Sequence, residues 1–395
     1  MRRARGLVRR IVLQMRLFWI IWRGKRRFSR DPRYRMELVC TSFGSPTREQ
    51  ADDHALLRRI CAAYYLAMTR QASAPEAFTA SRWWRIVQES NLGPARRALA
   101  NGDVDSLRAM YRQFFRDPCG AGLVGLPVDM ARSYRRPQFQ RRYKHLLLID
   151  MLHRLEVWHE RMNGRFSVDA LRGPEIGAPF GAIVNDVFLR PGATDHHYYA
   201  HKMIDLLKSN NNFRVIAEIG GGFGGMAYYL IRDHPAVTYI DFDLPETIAL
   251  AAYFLSKAFP HVQVTLYGEQ PRNYGGVFLM PAFALAEMPA NSMDAVFSSH
   301  LFSDLAHSSL QEYMNRVVYT APAYFLHVDS KAACRSVFEY MARGATAPFT
   351  LVESLAANWN HGCAAHTNEY EILYANRNFS GAKYSSLSSA DLPSV

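Results

Sequence analysis

Glu218, Gly220, Gly222, Gly224 and Asp243 stand closer to recognisable chemistry than any other set in this chain of 395 residues. They fall within RVIAEIGGGFGGMAYYLIRDHPAVTYIDFDLPE, residues 214–246. Glycines at 220, 221, 222, 224 and 225 let the backbone turn sharply and approach a ligand, at a cost in chain entropy that argues for a purpose. Residues 226–232 carry helical spacing, so the loop opens straight into a helix N-terminus, whose free N–H groups favour polar or anionic ligand groups. Asp243 ends the next apolar run, where its carboxylate can accept hydrogen bonds from two ribose hydroxyls. The set reads as a nucleotide-cofactor site.

Two cofactors fit such a loop. Gly220, Gly222 and Gly225 satisfy GxGxxG, the dinucleotide fingerprint, with Asp243 at a suitable distance beyond it. Glu218, Gly220, Gly222 and Gly224 also satisfy ExGxGxG, the loop of S-adenosylmethionine-dependent methyltransferases of the Rossmann-like class. Glu218 favours the second reading, because a carboxylate near the end of a buried strand is costly without a partner. The methionine end of S-adenosyl-L-methionine supplies an ammonium for it. NAD remains the alternative cofactor, with an oxidoreductase as the alternative enzyme. A binding protein that keeps the fold without turnover is a third reading.

Methyl transfer to oxygen needs an acceptor hydroxyl held in line with the activated methyl group at about 3 Å, and a base for the proton. Bases are expected at the carboxyl ends of strands near the glycine loop. His300 and Asp304, directly after the run 293–299, are the candidates. Either could instead be a hydrogen-bonded loop or capping group. His196, His197, His201, His361 and His366 form a looser set, read as mainly structural. No Asp, Glu and His set is spaced convincingly enough for a metal site to be assigned.

These residues need a sheet to position them. Strands are expected at 214–219, 237–242, 261–266, 276–279, 293–299 and 324–328, with a closing pair at 350–354 and 369–374. A helix is expected at 311–318. Upstream the pattern is helical: a capping box at Thr47 and Gln50 before a helix to about residue 69, then helices at 81–89, 94–100, 104–115 and 138–162. Trp83, Trp84, Tyr111, Phe114 and Phe115 lie at helical spacing there and are expected in the core. The Pro- and Gly-rich segment 173–192 is expected as a loop or hairpin that roofs the site. The domains follow as 1–35 a basic segment, 45–170 a helical domain, 171–195 the connection, 196–378 the cofactor domain and 379–395 a polar tail.

Five widely scattered cysteines without CxxC spacing argue for a reducing compartment and against structural zinc. Residues 1–35 hold 13 Lys or Arg and one acid, Asp31, and so account for the whole formal net charge of +12. Val8, Ile11, Met15, Phe18 and Trp22 recur at helical spacing there, with Arg2, Arg9, Arg16 and Arg23 on another face. The apolar run is too short to span a bilayer and no signal-peptide cleavage site follows it. Residues 1–30 are therefore expected to lie on an anionic membrane surface, at the inner face of a membrane. Packing on the body is the plainer alternative. Nucleic acid is disfavoured, since nothing elsewhere continues the basic patch.

The runs EIGGGFGGMAYYL and YIDFDLPETIALAAYFLSKAFP resemble a bacterial family of sugar O-methyltransferases. LANGDVDSLRAMYRQFFRDP, the pair Gly122–Leu123, EIGAPFGAIVND, YYAHKMIDLL and DAVFSSHLFSDLAHSSLQEYMNRV extend the similarity over residues 95–330. The resemblance implies an α/β fold: a Rossmann-like class I methyltransferase domain, mostly parallel with an antiparallel last strand, preceded by a helical domain. It also implies a sugar hydroxyl as acceptor, read here as one in a glycan or glycolipid precursor, and puts Asp304 where the family has its acid. Two departures stand out. Ala178–Pro179 occupies the place of an asparagine-proline pair, and Leu301, Phe302, Ser303 and Asp304 replace a serine-phenylalanine-glutamine-glutamate run.

Overall fold

The apolar runs flanking the glycine loop lie at the centre of an eight-stranded sheet in the computed structural model. The structure describes residues 2–40, 53–124, 140–208, 215–271, 275–342, 348–360 and 369–379; the side chains of residues 2–11, 13 and 16 are outside this description. The capping box at Thr47 and Gln50, His361, His366, Cys363 and the tail beyond residue 379 therefore lie outside it.

In chain order the elements begin with α1 (Arg2–Phe28), β1 (Val39–Cys40), α2 (His54–Gln71), α3 (Arg82–Val87), α4 (Gly93–Asn101), α5 (Val104–Tyr111) and α6 (Arg141–Arg161). A hairpin of β2 (Gly181–Val184) and β3 (Val187–Leu189) leads to α7 (Ala193–Leu207). The cofactor-type unit follows as β4 (Val215–Ile219), α8 (Gly225–Asp233), β5 (Thr238–Asp243), α9 (Pro245–Ala258), β6 (Val264–Leu266), β7 (Val277–Pro281) and β8 (Ala295–Ser299). It closes with α10 (His307–Thr320), β9 (Tyr324–Ser330), α11 (Lys331–Met341), β10 (Phe349–Ala356) and β11 (Glu369–Asn376).

The sheet order is β10-β11-β9-β8-β4-β5-β7-β6. Strand β11 runs antiparallel to both neighbours, and the other adjacent pairs are parallel. This is the α/β arrangement expected above, with the reversed last strand. From β4 the chain moves first to β5 on one side and later to β8 on the other. The carboxyl end of β4 is thus the switch point at which open parallel sheets bind ligands.

Local chemistry fixes several boundaries. Ser81 caps α3 through Trp84 N–H, Asp103 caps α5 through Ser106 N–H, and Pro245 starts α9, where its missing N–H costs nothing. The helix expected over 81–89 leaves α-geometry after Val87 and continues as a π-turn, Gln88–Leu92. The helix expected to 115 stops at Tyr111, and the strand expected from 261 starts at Val264. Segment 173–192 does form a hairpin, and β1 adds a third strand to it.

The helical segment shares its core with the sheet. Leu57, Ile60 and Tyr64 of α2 pack in one buried cluster with Ile248, Ala252 and Leu255 of α9. Buried Asp53 ties this contact by accepting from Arg108, at 2.6 Å, and from Lys257 of α9, at 3.3 Å. The reversed strand is anchored by Glu371, wholly buried, which accepts from Arg161 at 2.9 Å and from the hydroxyls of Tyr198 and Tyr199. Tyr111, Phe114 and Phe115 are buried as expected. Trp83 is not a core residue: it is 43% exposed on α3.

The basic segment is helical, and it packs on the body. Leu17 and Ile20 meet Leu146, and Phe28 meets Ile149 and Leu152. Gly24 lies so close to Ile149 that a Cβ would overlap it. The stripe singled out from the sequence, with Met15, Phe18 and Trp22, faces outward instead. The seated stripe, Leu17, Ile20, Gly24 and Phe28, lies on a different face of the helix.

Candidate functional site

The glycine loop is built by backbone geometry only glycine adopts without strain. Gly220, Gly222 and Gly224 have φ of +83°, +63° and +86°. Gly220 N–H donates to Phe242 O at 2.9 Å, which pins the start of the loop to β5. Gly221 N–H then donates to Asp241 Oδ1 and Gly222 N–H to Asp243 Oδ2, each at 3.0 Å. Asp243 Oδ1 accepts from Leu244 N–H at 2.6 Å. The loop is therefore braced on two carboxylates of the neighbouring strand.

A third carboxylate completes the group. Glu218 pairs in register with Asp241, and its Oε2 accepts from the hydroxyl of Tyr239 at 2.5 Å. Glu218 and Asp241 are buried, and among the described residues no Lys or Arg forms an ion pair with either of them or with Asp243. Asp241 Oδ2 has no hydrogen-bond partner. Burial is the main reason that Glu218 and Asp243 are pushed up to about 7; the hydrogen bond from Tyr239 opposes it for Glu218, and Asp243 adds to it. Burial likewise raises Asp241 well above the carboxylate range, with Asp243 and Glu218 adding repulsion. A clustered set of acids short of cations suits a ligand with positive charge. A dinucleotide pyrophosphate would meet the opposite: like charge, and two loop N–H groups already engaged.

Asp241 and Tyr239 were not picked out from the sequence. Their signal is the alternation Tyr239, Asp241, Asp243, which puts all three on one face of β5. Only the register with Glu218 reveals that this face belongs to the site.

Segments from outside the sheet close over the loop. Leu123 O lies 3.7 Å from where a Cβ of Gly222 would stand, and His196, at the start of α7, packs against Gly225 and Gly192. From the helical segment, Gln88 donates to Glu246 Oε1 at 2.5 Å and Trp84 Nε1–H donates to the same oxygen at 3.4 Å. Glu246 lies in the first turn of α9, three residues beyond Asp243. The π-turn thus delivers Gln88 to the acidic end of β5, as π-turns often do at functional sites.

His300 and Asp304 come together beyond β8. His300 has a left-handed φ of +57° and is held by its N–H to Val328 O at 2.8 Å. The adjoining Leu301 packs over Gly220, at 3.6 Å from its Cβ position, so this turn borders the glycine loop. Asp304 is exposed at the end of a short 3-10 turn, Phe302–Asp304. Desolvation first, then the nearby Asp329 carboxylate, raise its pKa, while His300 lowers it. Buried Asp329 builds the turn: its Oδ2 accepts from Phe302 N–H at 2.8 Å and from Ser303 N–H at 3.1 Å. Nothing in the sequence marked Asp329 except its place at the end of a strand.

The histidines before β4 sit elsewhere. His196 is pushed down to about 4 and His197 to about 3, both chiefly by burial. His197, His201 and Asp233 bring ligand-type atoms within 4.8 Å of one another, a grouping the sequence reading did not identify. Trp158 Nε1–H donates to His197 Nδ1 at 3.2 Å, so a neutral His197 carries its proton on Nε2, the nitrogen that faces Asp233. That arrangement offers a cation a donor and no lone pair, and Asp233 is already paired with Arg232 at 2.6 Å.

Residues 182–274 match the model of the O-methyltransferase domain, and this stretch contains Glu218, the glycine loop, Asp241, Asp243 and Glu246. No curated protein matches the chain. Among solved structures, the chain is similar to the magnesium protoporphyrin IX methyltransferase ChlM of Synechocystis PCC 6803 with bound SAM, at 11% identity and a TM-score of 0.32, over 47% of this chain and 81% of that one. It is also similar to the N-methyltransferase NodS of Bradyrhizobium japonicum WM9 in complex with S-adenosyl-L-homocysteine, at 15% identity and a TM-score of 0.32, over 45% of this chain and 85% of that one. Likeness at this level carries no argument about acceptor or residue roles. The domain match makes this a methyltransferase-type unit, with S-adenosyl-L-methionine as its cofactor.

Proposed function

We propose that the chain is an S-adenosyl-L-methionine-dependent O-methyltransferase whose acceptor is a hydroxyl of a sugar, in a glycan or glycolipid precursor. The observation that carries the cofactor side is the acidic triad of Glu218, in register with Asp241, and of Asp241 and Asp243, which accept from the N–H groups of Gly221 and Gly222. In this reading Glu218 faces the ammonium of the methionine end, Gly220, Gly222 and Gly224 leave room for it, and Asp243 takes the ribose hydroxyls with the lone pairs its backbone bonds leave free. The same triad speaks against NAD, whose pyrophosphate it would repel.

When bound, the cofactor supplies a methyl group already activated on a sulfonium. The chain has to hold the acceptor oxygen in line and take its proton. Asp304 and His300 are the proton acceptors of this reading, because both stand on the turn that borders Gly220. The raised pKa of Asp304 suits that role better than an ordinary carboxylate would. Asp329 acts at one remove, by holding the turn. The sugar acceptor rests on the sequence resemblance at residues 95–330, and an anionic membrane surface met through residues 1–30 belongs to the same reading.

Transfer of labelled methyl from S-adenosyl-L-methionine to a panel of free, nucleotide-linked and lipid-linked sugars tests the proposal. On an accepted sugar, Asp304→Asn or His300→Gln should lower turnover by about 100-fold or more with cofactor affinity nearly unchanged. Label appearing only on amines or aromatic hydroxyls would discard the sugar. Near-normal turnover in both variants would move the base elsewhere.

A further inference from the structure

The seating of α1 leaves its other side without a partner among the described residues. Leu17, Ile20, Gly24 and Phe28 face the body, while Phe18 is 67%, Trp19 52% and Trp22 45% exposed. Arg23 lies over the ring of Trp19 and Arg26 over that of Trp22, so both outward tryptophans are paired with a cation. The helix is fixed to α6 by polar contacts too: Arg27 to Glu156 at 2.5 Å and Arg142 to Gln14 at 2.9 Å. It is a rigid ridge on the catalytic body.

Beside the ridge, a groove of about 450 Å³ runs between α1 and the start of α6. Phe18, Ile21 and Trp22 form one wall; Lys25, Arg141, Arg142 and His145 supply the polar lining, which contains no acid. His145 is itself buried, with its Nε2 unpartnered. The Tyr34 hydroxyl lies 2.7 Å from its Nδ1. With the tyrosine donating, a neutral His145 bears its proton on Nε2, which is buried and without a hydrogen-bond partner. Three cations beside an aromatic wall match a phosphodiester attached to acyl chains.

We propose that the outward face of α1 and this groove together form a seat for the phosphate headgroups of an anionic bilayer, holding the body in one fixed orientation. The proposal rests on the membrane part of the reading above and is independent of methyl transfer. Charge complementarity selects the occupant: residues 1–35 carry a net +12, and the single acid there, Asp31, is tied to Arg33 at 2.7 Å. Aromatic side chains next to Lys and Arg suit the headgroup level of a bilayer, and no helix among the described residues is long and apolar enough to cross one.

The test is co-sedimentation of the full chain with phosphatidylcholine vesicles, with and without phosphatidylglycerol, alongside S-adenosylhomocysteine binding and thermal melting. Three double variants separate the parts: Trp19→Ser with Trp22→Ser for the ridge, Arg141→Ser with Arg142→Ser for the groove, and Arg172→Ser with Arg335→Ser as an equal loss of charge elsewhere. The wild-type chain should bind only vesicles containing phosphatidylglycerol. The ridge and groove pairs should each weaken binding by about tenfold or more, and the third pair should leave it within about twofold. Unaltered melting and cofactor binding would show that the variants remain folded. A full chain that ignores the anionic vesicles, ridge and groove variants that bind like wild type, or a control pair that loses as much as the groove pair would each overturn the seat. Vesicle binding without S-adenosylhomocysteine binding would support the seat and count against the methyltransferase reading alone.

Discussion

Glu218, Asp241 and Asp243 are three acids in a space with no cation of its own among the described residues, and this sets a sign for the pH response. Glu218 and Asp243 stand at about 7 in the folded chain, against ordinary values near 4. Between those limits the folded chain holds protons that the unfolded chain has released, so stability falls as pH rises from about 4 to about 7 and the loss is complete above that. A ligand ammonium or sulfonium reverses the penalty. S-adenosylmethionine should therefore raise the melting temperature more at about pH 8 than at about pH 6, and its binding heat should vary with buffer ionisation as protons leave. Equal stabilisation at both pH values, with no buffer dependence, would contradict this charge assignment. The glycines, Glu218 and Asp243 were legible because motif spacing is local. Asp241 and Asp329 were not, because their roles come from strand register and from a turn folded back onto a strand end.

At the scale of elements, the strands flanking the glycine loop and the reversed β11 were readable from short apolar runs bounded by turn residues. The π-turn at Gln88–Leu92 was not, since apolar periodicity does not tell π from α over one turn. The seated face of α1 was not legible for a related reason: two apolar stripes lie on one helix, and only the neighbour α6 decides which is seated. The loop before the hairpin records a departure that the sequence did show. Ala178, where the resembling family has asparagine, adopts a left-handed φ of +50°. That conformation costs alanine roughly 1 kcal/mol and is tolerated far better by asparagine or glycine. Ala178→Asn should raise stability by about 0.5–1 kcal/mol in reversible denaturation, with cofactor affinity unchanged. No gain, or a loss, would mean that the alanine methyl makes packing contacts worth more than the strain.

Across the whole molecule, the helical segment and the sheet meet in one core, and the segment reaches the site through Leu123 beside Gly222 and through Trp84 and Gln88 on Glu246. The expectation that upstream residues cover the strand ends was a matter of topology, because ligands bind open parallel sheets at that end. Which side chains do so depended on packing that no short motif encodes. The central claim is that the glycine-loop site takes the methyl-donor cofactor in preference to a dinucleotide. Calorimetric titration with S-adenosylhomocysteine and, separately, with NADH tests it most directly, on the wild-type chain, Gly222→Val and Gly222→Ala. A side chain at Gly222 would be strained at φ +63° and would project into the gap beneath Leu123 O. The account predicts saturable binding of S-adenosylhomocysteine by the wild-type chain, none of NADH, weakened binding in Gly222→Ala and loss in Gly222→Val, with melting checked for each. Binding of NADH in preference, or S-adenosylhomocysteine binding that Gly222→Val leaves intact, would contradict it.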